Sequence, residues 1–225
     1  MVVDKLNDED HLTVSTAIAA AEANSDGEIV AITSEQSDAY HDVGLHYAAL
    51  VAFALLALFA AAPVVLTCVH EAIAGWSAAP SLREVLTLAL LLTLAGFVGA
   101  LLAMKWRPLR MALTPGATKT RRVRRRAIML FKTGAERRTI GRTGILIYLS
   151  LAEHRAEIVA DEAITSVTTP ETWGEAMAAL LIHVKAGRQA DGIAAAVALI
   201  GAVLAEHFPK SSSDTNEIPD KLIEL

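Results

Sequence analysis

The sequence predicts an α/β fold: a small sheet with flanking helices, interrupted by a two-helix transmembrane hairpin. Two observations carry this. Tyr47–Val69 and Val85–Met104 are long apolar runs with no charged residue. Each reaches the ~18 to 20 residues needed to cross a hydrocarbon core of ~30 Å. In addition, one apolar strand pattern precedes these runs and two follow them, so the strands meet only if the hairpin returns the chain to its starting side. The predicted organisation is 1–44 as the first half of a cytoplasmic domain, 45–106 as the hairpin, 107–208 as the second half and 209–225 as a loose polar tail.

The first half opens with a helix. Asn7 or Asp8 caps it, and Asp8, Glu9 and Asp10 lie at its positive end. Leu12, Ala19 and Ala23 mark its expected apolar face, and Ser25-Asp26-Gly27 supplies turn chemistry. GEIVAIT then reads as a strand with an unbroken apolar centre, Ile29–Ile32, which belongs inside a sheet and is buried on both faces.

Within the spans, Pro63 and Gly96 are ordinary membrane-helix residues, and Pro63 predicts a modest kink. Small residues such as Ala57, Ala60, Gly96 and Gly99 allow close helix packing. No Asp, Glu, Lys, Arg or His lies within either run, which argues against a channel or transporter. Cys68 reads as an apolar packing residue, since no His or acid neighbour activates it.

Charge sets the expected topology. Nine Lys or Arg and no acid lie between Lys105 and Arg126. Cations beside a span stay on the cytoplasmic side. Both termini are therefore expected in the cytoplasm of a bacterial inner-membrane protein, with Tyr47 and Trp106 in one aromatic belt and Trp76 in the other. Arg107, Arg110, Arg121, Arg122, Arg124, Arg125 and Arg126 are expected to meet anionic lipid headgroups. RRVRRR has no aromatic residue interleaved, so nucleic acid is not expected as a partner.

After the hairpin, Arg121–Phe131 reads as an amphipathic helix with Val123, Ala127, Leu130 and Phe131 on its apolar stripe. ILIYLSL is a second strand, AEHR a tight turn, and AEIVA a third strand antiparallel to the second. A short helix follows Asp161 and stops before Pro170. Trp173, Met177, Leu180, Leu181 and Val184 stripe the next helix, which Gly187 ends. The last helix, after Asp191-Gly192, has a charge-free stretch of only fourteen residues, Gly192–Ala205. That is short for a membrane span and suits a buried core helix.

The blocks AEANSDGEIVAIT, RTGILIYLSLAEHRAEIVAD and GRQADGIAAAVALIG resemble the TPM domain of plant thylakoid proteins, an acetylcholine-receptor accessory protein and many bacterial membrane proteins. Ser25–Glu28 matches the family's entry into its first strand. Gly144–Leu149, Glu153–Arg155 and Ile158-Val159 match its strand, turn and strand, and Asp191-Gly192 its late turn. The resemblance spans about residues 9–208 without the hairpin, and is similar to a bacterial subgroup carrying the hairpin after the first strand. It implies a TPM-like sheet and, from some plant members, phosphatase activity and divalent-metal binding. This chain departs from the family where Val159-Ala160-Asp161-Glu162 replaces a glycine-rich run.

Asp161, Glu162 and Asp191 are the acids nearest strand ends and helix starts. They are either helix caps or oxygen ligands for Ca2+ or Mg2+. Arg142 and Arg155 are candidates for an anion or an ion pair. Scattered histidines, with no HExxH, P-loop, dinucleotide or nucleophile-elbow pattern, identify no reaction. The expected role is a membrane-tethered interaction or assembly module that contacts another protein. The rival is a metal-dependent phosphatase using Asp161 and Asp191.

Overall fold

The computed structural model describes residues 6–75, 80–134, 143–211 and 221–225. The chain forms two compact units. One comprises residues 1–38 and 116–225, the other residues 39–115. The second is an insertion in the first, with bounds several residues wider on each side than the hairpin expected at 45–106.

The first unit is an α/β domain. Helix α1 (Asp8–Glu22) starts at a capping box: the Asp10 N–H donates to Asn7 Oδ1 and the Asn7 N–H to Asp10 Oδ2, both at 2.9 Å. Strands β1 (Glu28–Ser34) and β2 (Gly144–Ser150) pair in parallel over their whole length. Strand β3 (Arg155–Ala160) pairs antiparallel with β2, as the tight turn predicts. A short fourth strand, β4 (Leu222–Glu224), pairs in parallel with β1 and sets the order β3-β2-β1-β4. The expectation of a loose tail to residue 225 fails here. Leu222 is buried in the core, and the Leu225 N–H donates to Thr33 O.

Alternation along the strands builds two cores. Ile29, Ala31, Ile145, Ile147 and Leu149 face α1, α7 (Glu162–Val167), α8 (Gly174–Lys185) and α9 (Gln189–His207). Val30, Ile32, Leu146 and Tyr148 face α6 (Gly116–Gly134), which contributes Val123, Ala127 and Phe131. The central strands are therefore apolar on both faces, because helices cover both.

One predicted stripe is misplaced. In α1 the buried residues are Val14, Ile18 and Glu22, while Leu12 is 67% exposed and Ala19 and Ala23 are exposed. An alanine-rich helix offers several passable apolar faces, and the larger Val14 and Ile18 side chains win the core because they remove more apolar area from water.

Helix α9 is the core helix expected. Ile193, Ala196, Val197, Ile200 and Leu204 are all buried. Glycines permit its close crossings. A Cβ at Gly201 would lie 2.5 Å from Ala21 Cβ, and one at Gly192 would lie 2.8 Å from Leu180 O.

The second unit is helical: α2 (His41–Ala61), α3 (Val64–Ala74), α4 (Leu82–Ala103) and α5 (Arg107–Leu113). The first apolar run is not one helix. Ala62, at φ −134° and ψ 70°, ends α2, and Pro63 caps α3. Proline lacks an N–H and disfavours the helical region for the residue before it, so Pro63 breaks this run instead of kinking it. The membrane-length piece shifts from 47–69 to 41–61. Helix α2 packs closely on α4, where a Cβ at Gly96 would meet Leu55 Cδ1. No residue of α4 is buried, and Leu86, Leu90, Leu94 and Leu102 point outward.

Among the described residues three helices are long and apolar enough to cross a membrane: α2, α4 and α9. Their surroundings differ. α9 gives 44% of its most apolar window to the α/β core, whereas α4 gives none.

Candidate functional site

The best-built polar cluster lies at the carboxyl ends of β1 and β2, the sheet end where α/β proteins commonly place ligands. Ser34 and Ser150 are register partners in the last rung of the parallel ladder. Beyond β1, the Ser37 N–H donates to Glu153 Oε1 at 2.9 Å. Ser37 Oγ donates to Ser150 Oγ at 2.8 Å, and the Ser150 hydroxyl donates to Glu153 Oε2. The Tyr148 hydroxyl lies 2.9 Å from Ser37 Oγ and donates to it, since the Ser37 proton is already committed to Ser150.

The result is a one-way relay, Tyr148 to Ser37 to Ser150 to Glu153. Tyr148 and Ser150 are fully buried and Glu153 is 2% exposed. Buried polar groups persist at this density only when they satisfy one another. The relay does not make Ser37 a nucleophile. Its proton passes to another hydroxyl, with no His, Lys or carboxyl group as its immediate acceptor. Its effect is to hold the segment after β1 against the turn after β2.

That hold has a topological meaning. Ser37 and Asp38 are the last residues before the inserted unit, and α6 is the first element after it. Arg122 Nη1 of α6 lies 3.1 Å from Asp38 Oδ1. The departing and returning strands of chain are thus clamped to each other and to the turn after β2. Nothing in the strand pattern signalled Glu153 or Ser37. The available clue was the i, i+2 pair Tyr148 and Ser150, two polar groups on one face of an otherwise apolar strand.

The acids singled out from the sequence play separate roles. Asp161 is buried at the start of β2: its N–H donates to Gly144 O at 2.9 Å, and its Oδ2 accepts the Gly144 N–H at 3.2 Å. It occupies the N-cap position of α7 but makes no side-chain cap bond there. Glu162 is exposed in the first turn of α7. Asp191 lies inside the first turn of α9, exposed, 3.2 Å from Arg188 Nη1. Among the described residues no three His, Cys, Asp or Glu side chains converge to hold a metal, so Asp161, Glu162 and Asp191 do not form the expected ligand set.

The arginines also divide. Arg155 Nε donates to Thr120 Oγ1 at 3.3 Å and its Nη1 to His154 O at 3.1 Å, both neutral partners. Arg142 and Trp76 lie outside the described residues. Arg124 acts on Glu157 of β3: half-burial beneath α6 pushes the Glu157 carboxyl above its ordinary value, and the Arg124 guanidinium partly offsets this. Arg110 Nη1 donates to Met104 O at 3.3 Å within the second unit.

No family model matches the chain, and no curated protein matches it. A solved structure similar to it is the NMR structure of BA42 protein from the psychrophilic bacterium Bizionia argentinensis. The two are 16% identical with a TM-score of 0.57, over 100% of this chain and 99% of that one. At that identity the likeness supports the mixed α/β fold and nothing about activity.

Proposed function

We propose that the chain is a bacterial inner-membrane protein whose TPM-like α/β unit is tethered at the cytoplasmic face by a hairpin of α2 and α4. There it serves as an interaction or assembly module. One observation carries this reading. Two charge-poor helices of membrane length lie in an insertion whose two ends are joined by the Asp38–Arg122 pair and by the continuous β1–β2 ladder. Strands that share a ladder lie on one side of a membrane, so the insertion crosses it an even number of times. α9 does not add a third crossing, because its buried face completes the α/β core.

The outer surface of the helical layer supports the interaction role. Leu12 of α1 and Ile182 of α8 are 67% and 68% exposed. These are large apolar side chains that the core leaves in solvent.

Two measurements test the reading. A fluorescent reporter after Leu225 should mature in the cytoplasm, and a reporter that works only outside should be active when inserted at Gly75. A C-terminal reporter active only outside overturns the topology. Photo-crosslinking groups placed at Leu12 and Ile182 in native membranes should yield a discrete adduct with another protein. Recovery of only the free chain from both positions overturns the interaction role.

A further inference from the structure

Helix α6 has two unlike faces, and the structure separates arginines that the sequence presents as one cluster. Val123, Ala127 and Phe131 are buried against the sheet. Arg122 pairs with Asp38, and Arg124 faces Glu157. The positions left on the far side are Arg121, Arg125, Met129 and Lys132, spaced i, i+4, i+8 and i+11 along one helix face. All four are exposed, Met129 by 45%. None of these three cations has an acidic partner among the described residues, and α6 contains no Asp or Glu.

We infer that this face is a docking surface for an anionic lipid bilayer, with Arg121, Arg125 and Lys132 on headgroup phosphates and Met129 dipping among them. The inference rests on the membrane-tether reading above and adds a second, electrostatic contact to it. Basic residues clustered on one exposed helix face are attracted to anionic headgroups. Bilayer charge acts only within a Debye length, about 10 Å, so such a face is useful only if it is kept near the membrane. The length of the connection permits this. Only residues 104–115 separate α4 from α6, and seven of them are coiled in α5. At ~1.5 Å per helical residue and ~3.5 Å per extended one, α6 begins within about 30 Å of the end of α4.

The far side of α6 is also more than a topology signal. Positive charge immediately beside a span suffices to orient it, and Lys105, Arg107 and Arg110 already supply that. Arg121, Arg125 and Lys132 lie further on and share a face that the fold leaves uncovered.

The test uses the full chain in nanodiscs, with Cys68 replaced (Cys68→Ala) and a single thiol introduced by Met129→Cys. Alkylation of that thiol should slow at least about fivefold when a zwitterionic bilayer is changed to one with about 30% phosphatidylglycerol. About 1 M salt should restore the rate. Adding Arg121→Gln, Arg125→Gln and Lys132→Gln should remove the slowing. A thiol at Ala127→Cys, on the buried face, should stay protected throughout and reports that the fold is intact. Equal alkylation in both bilayers, or slowing that survives high salt, overturns the lipid contact while leaving the tether standing. A chain that enters neither kind of nanodisc overturns the tether and this inference together.

Discussion

Gly201 decides what kind of helix α9 is. A methyl group there would sit 2.5 Å from Ala21 Cβ and 3.1 Å from Ala21 Cα. Ordinary carbon contacts begin near ~3.5 Å, so α1 and α9 must part by about 1 Å, and the obstacle is backbone and Cβ, which cannot swing aside. Overpacking of this sort costs about 1–3 kcal/mol. Replacing glycine by alanine inside a helix returns about 0.8–1 kcal/mol. The Gly201→Ala variant should therefore lose up to about 2 kcal/mol net, at most some 4–8 °C in Tm for a unit of this size.

The assay is thermal unfolding of the full chain in mild detergent, followed by Trp173, which packs against the core, with Trp76 and Trp106 replaced by Phe. Ala21→Gly should rescue the variant by opening the same space, with a coupling above about 1 kcal/mol in the double-mutant cycle. If Gly201→Ala instead raises Tm by the helix-propensity gain, α9 does not pack on α1. The case for exactly two membrane crossings then fails with it.

Further outcomes follow from the polar groups. Glu153→Ala removes the acceptor of the Ser37 N–H and the Ser150 hydroxyl, leaving buried donors unpaired. It should cost about 2–4 kcal/mol in urea unfolding, and a loss below about 0.5 kcal/mol would show that the clamp is not closed. Glu157 has a raised folded-state pKa, so its stabilising contribution is complete below its ordinary value of 4.5 and is lost as pH rises through the raised value. The Tm advantage of Glu157→Gln over the parent chain should therefore grow across that window, and a pH-independent difference would refute the burial of this carboxyl.

Much of the fold was legible because it depends on local pattern. Ile29–Ile32 read as a doubly buried strand, Ile145–Leu149 as a second strand, AEHR as the turn from it into β3, and Val123, Ala127 and Phe131 as part of the inner stripe of α6, each from a few neighbouring residues. β4 was not legible. Leu222–Glu224 has no strand pattern of its own, and it becomes a strand because β1 offers an open edge nearly two hundred residues earlier. The face of α1 was misread for a related reason, since alanine at Ala19 or Ala23 buries too little area to decide an orientation.

The site divides along the same line. Residue types and charge runs determined that this chain carries helices apolar and long enough to cross a membrane, a basic segment between them and a mixed α/β fold. Tertiary structure alone decided that Asp161 latches β2, and that Ser37, Ser150 and Glu153 close the domain where the insertion leaves it. Hydropathy is a property of each residue and survives in the linear sequence. Pairing between polar groups more than a hundred residues apart depends on geometry that the two halves of the domain create only when they meet.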